Sequence, residues 1–177
     1  MSMYKVNHKD LFYKTLEKYL KPVMNLKDLN VLDLGCETWF YKDSLFNFLN
    51  QFGCNYLLGV DCNERLITSS LKLVQKPLEF KLTKVEDLGE EFNESFDLIT
   101  NFRPYCKNLS LFIKEQYKKC YELLKKEGVY FGTTYDEEEK NDLVPVIKDS
   151  GLKIISVDRN ELDPMELQHG WVIIAKK

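Results

Sequence analysis

The sequence predicts an α/β fold: a doubly wound, mostly parallel seven-stranded sheet with helices on both faces and a C-terminal antiparallel hairpin. Three observations predict it. Short aliphatic runs, 31–34 and 56–60 among them, alternate with amphipathic helical segments, as they do where a parallel sheet is covered on both faces. Two of those runs repeat one pattern, aliphatic residues and then an acid at the carboxyl end, Asp33 in VLDLG and Asp61 in GVD. The last two runs, 153–157 and 171–175, have no helix between them, which suits a hairpin and not a crossover.

The elements follow in order. Leu11, Phe12, Leu16, Tyr19 and Leu20 recur at three- and four-residue spacing, the pattern of an amphipathic helix, and Pro22 stops it. Strand 30–34 comes next. The loop 35–42 leads to a helix capped by Asp43 or Ser44, with Leu45, Phe46, Phe48, Leu49 and Phe52 on its apolar side and Gly53 past its end. After strand 56–60, Asn63 starts a helix over 64–74 that Pro77 breaks. Alternation over 78–82 reads as an edge strand, and 84–93 as an acidic loop. FDLIT, 96–100, is the next strand, and the loop NFRPYC separates it from a helix over 109–126. Lys118, Lys119, Lys125 and Lys126 form a solvated face at that helix's C-terminal end, where the dipole favours cations. Gly128 ends it and 129–134 is a strand. The charge run 136–140 opens a helix with Leu143, Val144, Val146 and Ile147 buried and a kink at Pro145, closed by Ser150 and Gly151. The polar stretch 158–170 joins the last two strands.

Composition narrows the function. At 177 residues, 44% of them hydrophobic, the chain suits one domain with a sizeable core, and a net charge of −3 gives no global attraction for nucleic acid. Cys36, Cys54, Cys62, Cys106 and Cys120 are scattered, odd in number and never in a C-x-x-C arrangement, so neither a disulfide framework nor a zinc site is indicated. Reduced thiols in a cytoplasm fit best. The polar start and the lack of a long apolar run predict neither export nor a membrane span. His8 and His169 stand near no nucleophile or acidic cluster, so triad hydrolysis and zinc catalysis are not expected, and each reads as a surface or terminal histidine.

Asp33 demands a reason, because burying an unpaired carboxylate is costly. Either it lies at the open end of its strand, facing a ligand, or it accepts local backbone N–H groups. Doubly wound sheets bind ligands at the carboxyl ends of their strands, where the topology reverses. That places Asp33, Gly35, Asp61 and the loop after Thr100 along one edge.

These segments and their order resemble the class I S-adenosylmethionine-dependent methyltransferases, the small-molecule type in particular. VLDLGCET resembles the family's first strand and glycine loop, and GVD, 59–61, the end of its second strand. FNESFDLIT, 92–100, resembles the approach to the fourth strand and its core. LLKKEGVYFGTT, 123–134, resembles the helix end and fifth strand. The resemblance spans 29–177. It implies a single domain over 1–177, with residues 1–28 as an N-terminal cap helix and 29–177 as a Rossmann-like core.

The resemblance also implies S-adenosylmethionine as cofactor and no metal. Asp33 and the Gly35 backbone would border its methionine part, and Asp61 would take the two ribose hydroxyls, which suits a carboxylate with two acceptor oxygens. Cys36, Cys62, Glu86, Asp87 and Asn101 would also line it. Asn101 and Tyr105, in NFRPY, are positional candidates for catalysis.

The departures are specific. Glu37 and Trp39 stand where the family's loop has glycines, and Lys84 where many relatives have an acid that binds the adenine amino group, leaving Glu86 or Asp87 to substitute. Glu127 replaces a glycine in the turn before the fifth strand. NFRPY is also similar to the Asn-Pro-Pro-Tyr of amino-methylating nucleic-acid enzymes, with an extra residue and Phe-Arg for the first proline; Arg103 would pair with an anionic substrate or with a surface acid. Two functions follow. One is a methyltransferase acting on a small molecule, with nucleic acid or protein as the other acceptor classes. The alternative is a non-catalytic methyltransferase-like binding or scaffold protein with an impaired cofactor pocket. The single-glycine loop, lacking G-x-G-x-x-G, argues against a dinucleotide enzyme.

Overall fold

The aliphatic runs become strands β1 (Asn30–Leu34), β2 (Tyr56–Asp61), β3 (Leu78–Leu82), β4 (Phe96–Phe102), β5 (Leu124–Thr134), β6 (Lys153–Arg159) and β7 (Trp171–Lys176). Helices α1 (His8–Tyr19), α2 (Trp39–Asn50), α3 (Glu64–Leu71), α4 (Leu111–Leu123) and α5 (Glu137–Asp149) connect and cover them. The computed structural model describes residues 8–36, 39–71, 77–102, 111–163 and 169–177. All seven strands share one sheet, in the order β3-β2-β1-β4-β5-β7-β6. The first five pair in parallel, and β7 runs antiparallel between β5 and β6. The expected parallel sheet with a terminal hairpin is what forms.

Strand alternation sorts the side chains into two cores. Val31, Leu57, Leu98, Phe131 and Val172 pack with Leu16 and Leu20 of α1, Leu45 and Leu49 of α2 and Ile67 of α3. On the other face Leu32, Leu58, Ile99, Tyr130 and Ile173 pack with Tyr117 and Leu123 of α4 and Leu143 and Ile147 of α5. The chain therefore steps from β1 out to β3 with its helices on one face, then from β4 outward with its helices on the other. Between β1 and β4 the connections leave the sheet in opposite directions, which opens a crevice at their carboxyl ends.

Several boundaries differ from the sequence reading. Helix α2 begins at Trp39, so Asp43 and Ser44 lie inside it and not at its start. Strand β4 continues through Asn101 and Phe102, which were expected in a loop, because β5 pairs with both. Helix α4 stops at Leu123 and β5 starts at once, held there by Phe96 opposite Leu124 and by Lys125, whose ammonium lies 2.9 Å from both oxygens of Asp97. Lys125 and Lys126 are thus strand residues, not part of a helix face. Glu127 takes a left-handed backbone, φ 65°, where a glycine would be unstrained. The acidic loop after β3 holds two single turns of 3-10 helix, Val85–Asp87 and Glu90–Phe92.

Gly59 shows how closely the site end of the sheet is packed. A Cβ there would stand 2.6 Å from Phe80 Cδ1 and 3.0 Å from Cys36 Sγ, so β2 has no room for a side chain beneath Asp61. Gly59→Ala is expected to cost about 1–3 kcal/mol, as overpacked cores do, with a smaller loss in a Phe80→Leu background. Urea unfolding of the wild type, the two single variants and the double variant checks this; an unchanged midpoint in Gly59→Ala would contradict the packing described.

Candidate active site

The base of the crevice is an acid bonded across two strands. Asp33 is 6% exposed and stands opposite Thr100 in the β1–β4 register. Thr100 Oγ1 donates to Asp33 Oδ1 at 2.8 Å. One donor is therefore a side-chain hydroxyl on the neighbouring strand. Thr100 is itself fully buried, so the bond is shielded from competing water.

Asp61 ends β2 on the same face, 7% exposed. Its Oδ1 accepts the Asn63 N–H at 2.8 Å, and Asn63 Oδ1 in turn accepts the Arg65 N–H at 3.1 Å, which starts α3. This turn uses one of roughly four acceptor positions of a carboxylate and fixes the direction of the group. After β1, Gly35 turns the chain with φ 61°, and among the described residues a Cβ placed there would meet nothing within 4 Å. The Cys36 N–H donates to the Val60 carbonyl at 3.1 Å, and its side chain is buried against Gly59, while Cys62 is exposed.

Register converts these positions into a row. Asp33 pairs with Gly59, so Asp61 lies one strand over and two residues further, about 8 Å away between Cα atoms at ordinary strand spacing and rise. Phe102 pairs with Thr133 and lies two residues beyond Thr100, level with Asp61. From Asp61 across β1 and β4 to Thr133 on β5 is three strand spacings, about 14 Å.

His169 closes the far end of that row. Its Nδ1 is 2.9 Å from Thr133 Oγ1, its backbone N–H donates to Asp163 Oδ2 at 2.7 Å, and its ring stands edge-on to Phe102, centroids 6.0 Å apart at 75°. It is 3% exposed. The expectation of a surface or terminal histidine is corrected by this burial. No local motif announces the pair, since 36 positions separate its partners and only the antiparallel placement of β7 brings them together. The segment before His169 is tied to α1: Asn160 Nδ2 donates to Thr15 Oγ1 at 3.2 Å, Tyr19 OH donates to the Arg159 carbonyl at 3.1 Å, and Lys18 pairs with Glu161. Helix α1 and residues 159–161 are thus bonded to each other.

The remaining sequence candidates separate. Asn101 lies on the opposite face, where its Nδ2 donates to Tyr117 OH at 3.3 Å, and that hydroxyl is 2.8 Å from Tyr130 OH. Glu86 lies on the α4 side; burial raises the Cys120 thiol well above its ordinary pKa, and the Glu86 charge adds to the effect. Asp87 and Lys84 are exposed. Glu37, Arg103 and Tyr105 lie outside the described residues, as does the Trp39 side chain. Among the described residues no cluster of His, Cys, Asp and Glu could hold a metal ion, and no helix is long and apolar enough to cross a membrane.

No family model matches the sequence, and no curated protein matches it. Solved structures do. The N-methyltransferase NodS from Bradyrhizobium japonicum superposes with a TM-score of 0.71 over 97% of this chain and 98% of its own, at 12% identity. The 1,6-didemethyltoxoflavin-N1-methyltransferase of Burkholderia thailandensis, solved with its substrate and S-adenosylhomocysteine, gives a TM-score of 0.69 over 98% and 79%, at 14% identity. The chain has the fold of the class I S-adenosylmethionine-dependent methyltransferases. The [4+2]-cyclase SpnF is equally similar, with a TM-score of 0.71 over 99% of this chain and 84% of its own, at 11% identity, so the methyltransferase fold is not confined to methyltransferases.

Within this methyltransferase fold the Asp33–Thr100 bond joins the two strands that flank the crevice. Thr100→Val keeps the shape and removes the donor, leaving a buried carboxylate oxygen without it. A loss of about 1–3 kcal/mol in urea unfolding is expected, more than a Thr133→Val change on the same face, where no carboxylate is left behind.

Proposed function

We propose that the protein is an S-adenosylmethionine-dependent methyltransferase acting on a small-molecule acceptor. The single observation that carries the reading is the pair of directed carboxylates, Asp33 and Asp61, on one face of the β1–β2 tips beside the open turn at Gly35. The residues fit the cofactor. Asp61 suits a ribose cis-diol, which offers two donors to one carboxylate. Gly35 has the open backbone that a ligand needs to approach closely, and two acids about 8 Å apart favour a ligand that carries positive charge, as this sulfonium and its amino group do. When bound, the cofactor supplies an electrophilic methyl group. Asp61 would hold the adenosyl end, and Asp33 and the Gly35 backbone the amino-acid arm.

Methyl transfer from a sulfonium depends chiefly on alignment, so a site of positioning groups with few acid–base residues is adequate to it. The similarity to the 1,6-didemethyltoxoflavin-N1-methyltransferase and to NodS supports the same reading.

Isothermal calorimetry tests it. The intact chain is expected to bind S-adenosylmethionine, and Asp61→Ala to bind it at least about 100-fold more weakly with an unchanged circular dichroism spectrum, since two charge-assisted hydrogen bonds are lost. Absence of binding by the folded wild-type chain removes the proposal. A second measurement reads the same contact by chemistry: Cys62 is exposed next to Asp61, so saturating S-adenosylhomocysteine is expected to slow its alkylation several-fold, followed by mass spectrometry of the Cys62 peptide.

A further inference from the structure

We propose that Thr100 is a positioning residue for the cofactor's amino-acid arm: its hydroxyl fixes the Asp33 carboxylate in the orientation that receives the arm's ammonium group. This rests on the methyltransferase reading and gives β4 a part in holding the cofactor, beside the tips of β1 and β2.

A carboxylate turns about its Cβ–Cγ bond with little preference, because a torsion between a tetrahedral and a planar carbon has a broad minimum. An ammonium that meets an unfixed carboxylate has to order it on binding, and that ordering costs affinity. Asp33 is ordered beforehand. Thr100 stands directly opposite it in the β1–β4 register and donates to Oδ1 at 2.8 Å, with both residues buried. The hydroxyl has one proton to give, and the Leu32 carbonyl lies within its range as well, at 3.4 Å. The carboxylate takes the proton, being charged and nearer. Threonine is itself restricted at χ1 by its branched Cβ, so the donor is nearly as fixed as the strand that carries it.

The same two strands show what suffices where only the sheet is served. Two residues further in, on the same face, Val31 stands opposite Leu98, and both are fully buried. Such an apolar pair needs no hydrogen bond, and putting one in place of a buried polar pair of the same shape is often nearly neutral. The polar pair stands instead at the tip, beside the left-handed turn at Gly35 and on the face that carries Asp61. An α-ammonium suits a directed acid at that level, since it brings several donors and a full positive charge.

Isothermal calorimetry with two ligands separates positioning from support of the fold. S-adenosylhomocysteine has the amino-acid arm; 5′-methylthioadenosine is an adenosyl thioether without it. Thr100→Val is expected to bind S-adenosylhomocysteine about 5- to 10-fold more weakly than the wild type does, and 5′-methylthioadenosine within about 2-fold of it. Thr100→Ser keeps the hydroxyl and is expected to stay within about 2-fold of the wild type for both ligands. In an Asp33→Ala background, where the hydroxyl has no carboxylate to hold, Thr100→Val is expected to add less than about 2-fold. Circular dichroism checks that each variant is folded; where Thr100→Val is not, Thr100→Cys, close in size and a weaker donor, takes its place. Equal losses for the two ligands, no loss for S-adenosylhomocysteine, or a loss that persists in the Asp33→Ala background overturns the positioning role and leaves the proposed function standing. Failure of the folded wild-type chain to bind S-adenosylhomocysteine overturns the proposed function and this role with it.

Discussion

The structure depends on one hydrogen bond made at the point where its topology reverses. Asp33 and Thr100 face each other from β1 and β4, the two strands whose following helices depart to opposite sides of the sheet. Nothing covers the tips of such a strand pair by default, because the helix that would do so on either face has gone elsewhere. A carboxylate there is tolerated only if something donates to it, and Thr100 does so from within the sheet. Gly35 turns the chain beside it with a left-handed backbone, and among the described residues nothing stands within 4 Å of a Cβ placed there.

The parts of this arrangement that the sequence disclosed are those in which one residue contradicts its surroundings. Asp33 and Asp61 each interrupt or end an aliphatic run, and the energetic penalty of an acid in that setting is local, so it can be read without knowing the neighbours. The two acids and the glycine between them were legible on those grounds. Thr100 was not, because a threonine in a strand is ordinary and its role appears only when β1 lies opposite. His169 was hidden more deeply: its partner Thr133 is on a different strand, and its chain neighbours give no sign that a ring will be buried there. The same distinction explains the boundaries. Asn101 and Phe102 look like the start of a loop until β5 pairs with them, and Leu124 to Lys126 look helical until Phe96 and Asp97 claim them for the sheet. Local propensity is outweighed wherever a parallel neighbour supplies ladder bonds and an ion pair.

Two kinds of contact hold α1. Leu16 and Leu20 anchor α1 in the apolar core, and Thr15, Lys18 and Tyr19 on the adjoining side bond to Asn160, Glu161 and Arg159. The ion pair adds little, since the Glu161 carboxylate is largely solvated and Lys18 is partly so. The Asn160 to Thr15 bond is buried and counts for more, of the order of 1 kcal/mol. A helix that reads in the sequence as a generic cap is in the folded chain bonded to the end of β6 and to the turn after it.

The order of groups along the strand tips divides this face of the sheet in two. Two carboxylates stand at one end and the Thr133–His169 pair at the other, with the apolar Phe102 ring beside His169. Under the proposed function the acids would attract the cationic, methyl-bearing form of the cofactor more strongly than the neutral spent form, and that difference would act on release as well as on binding.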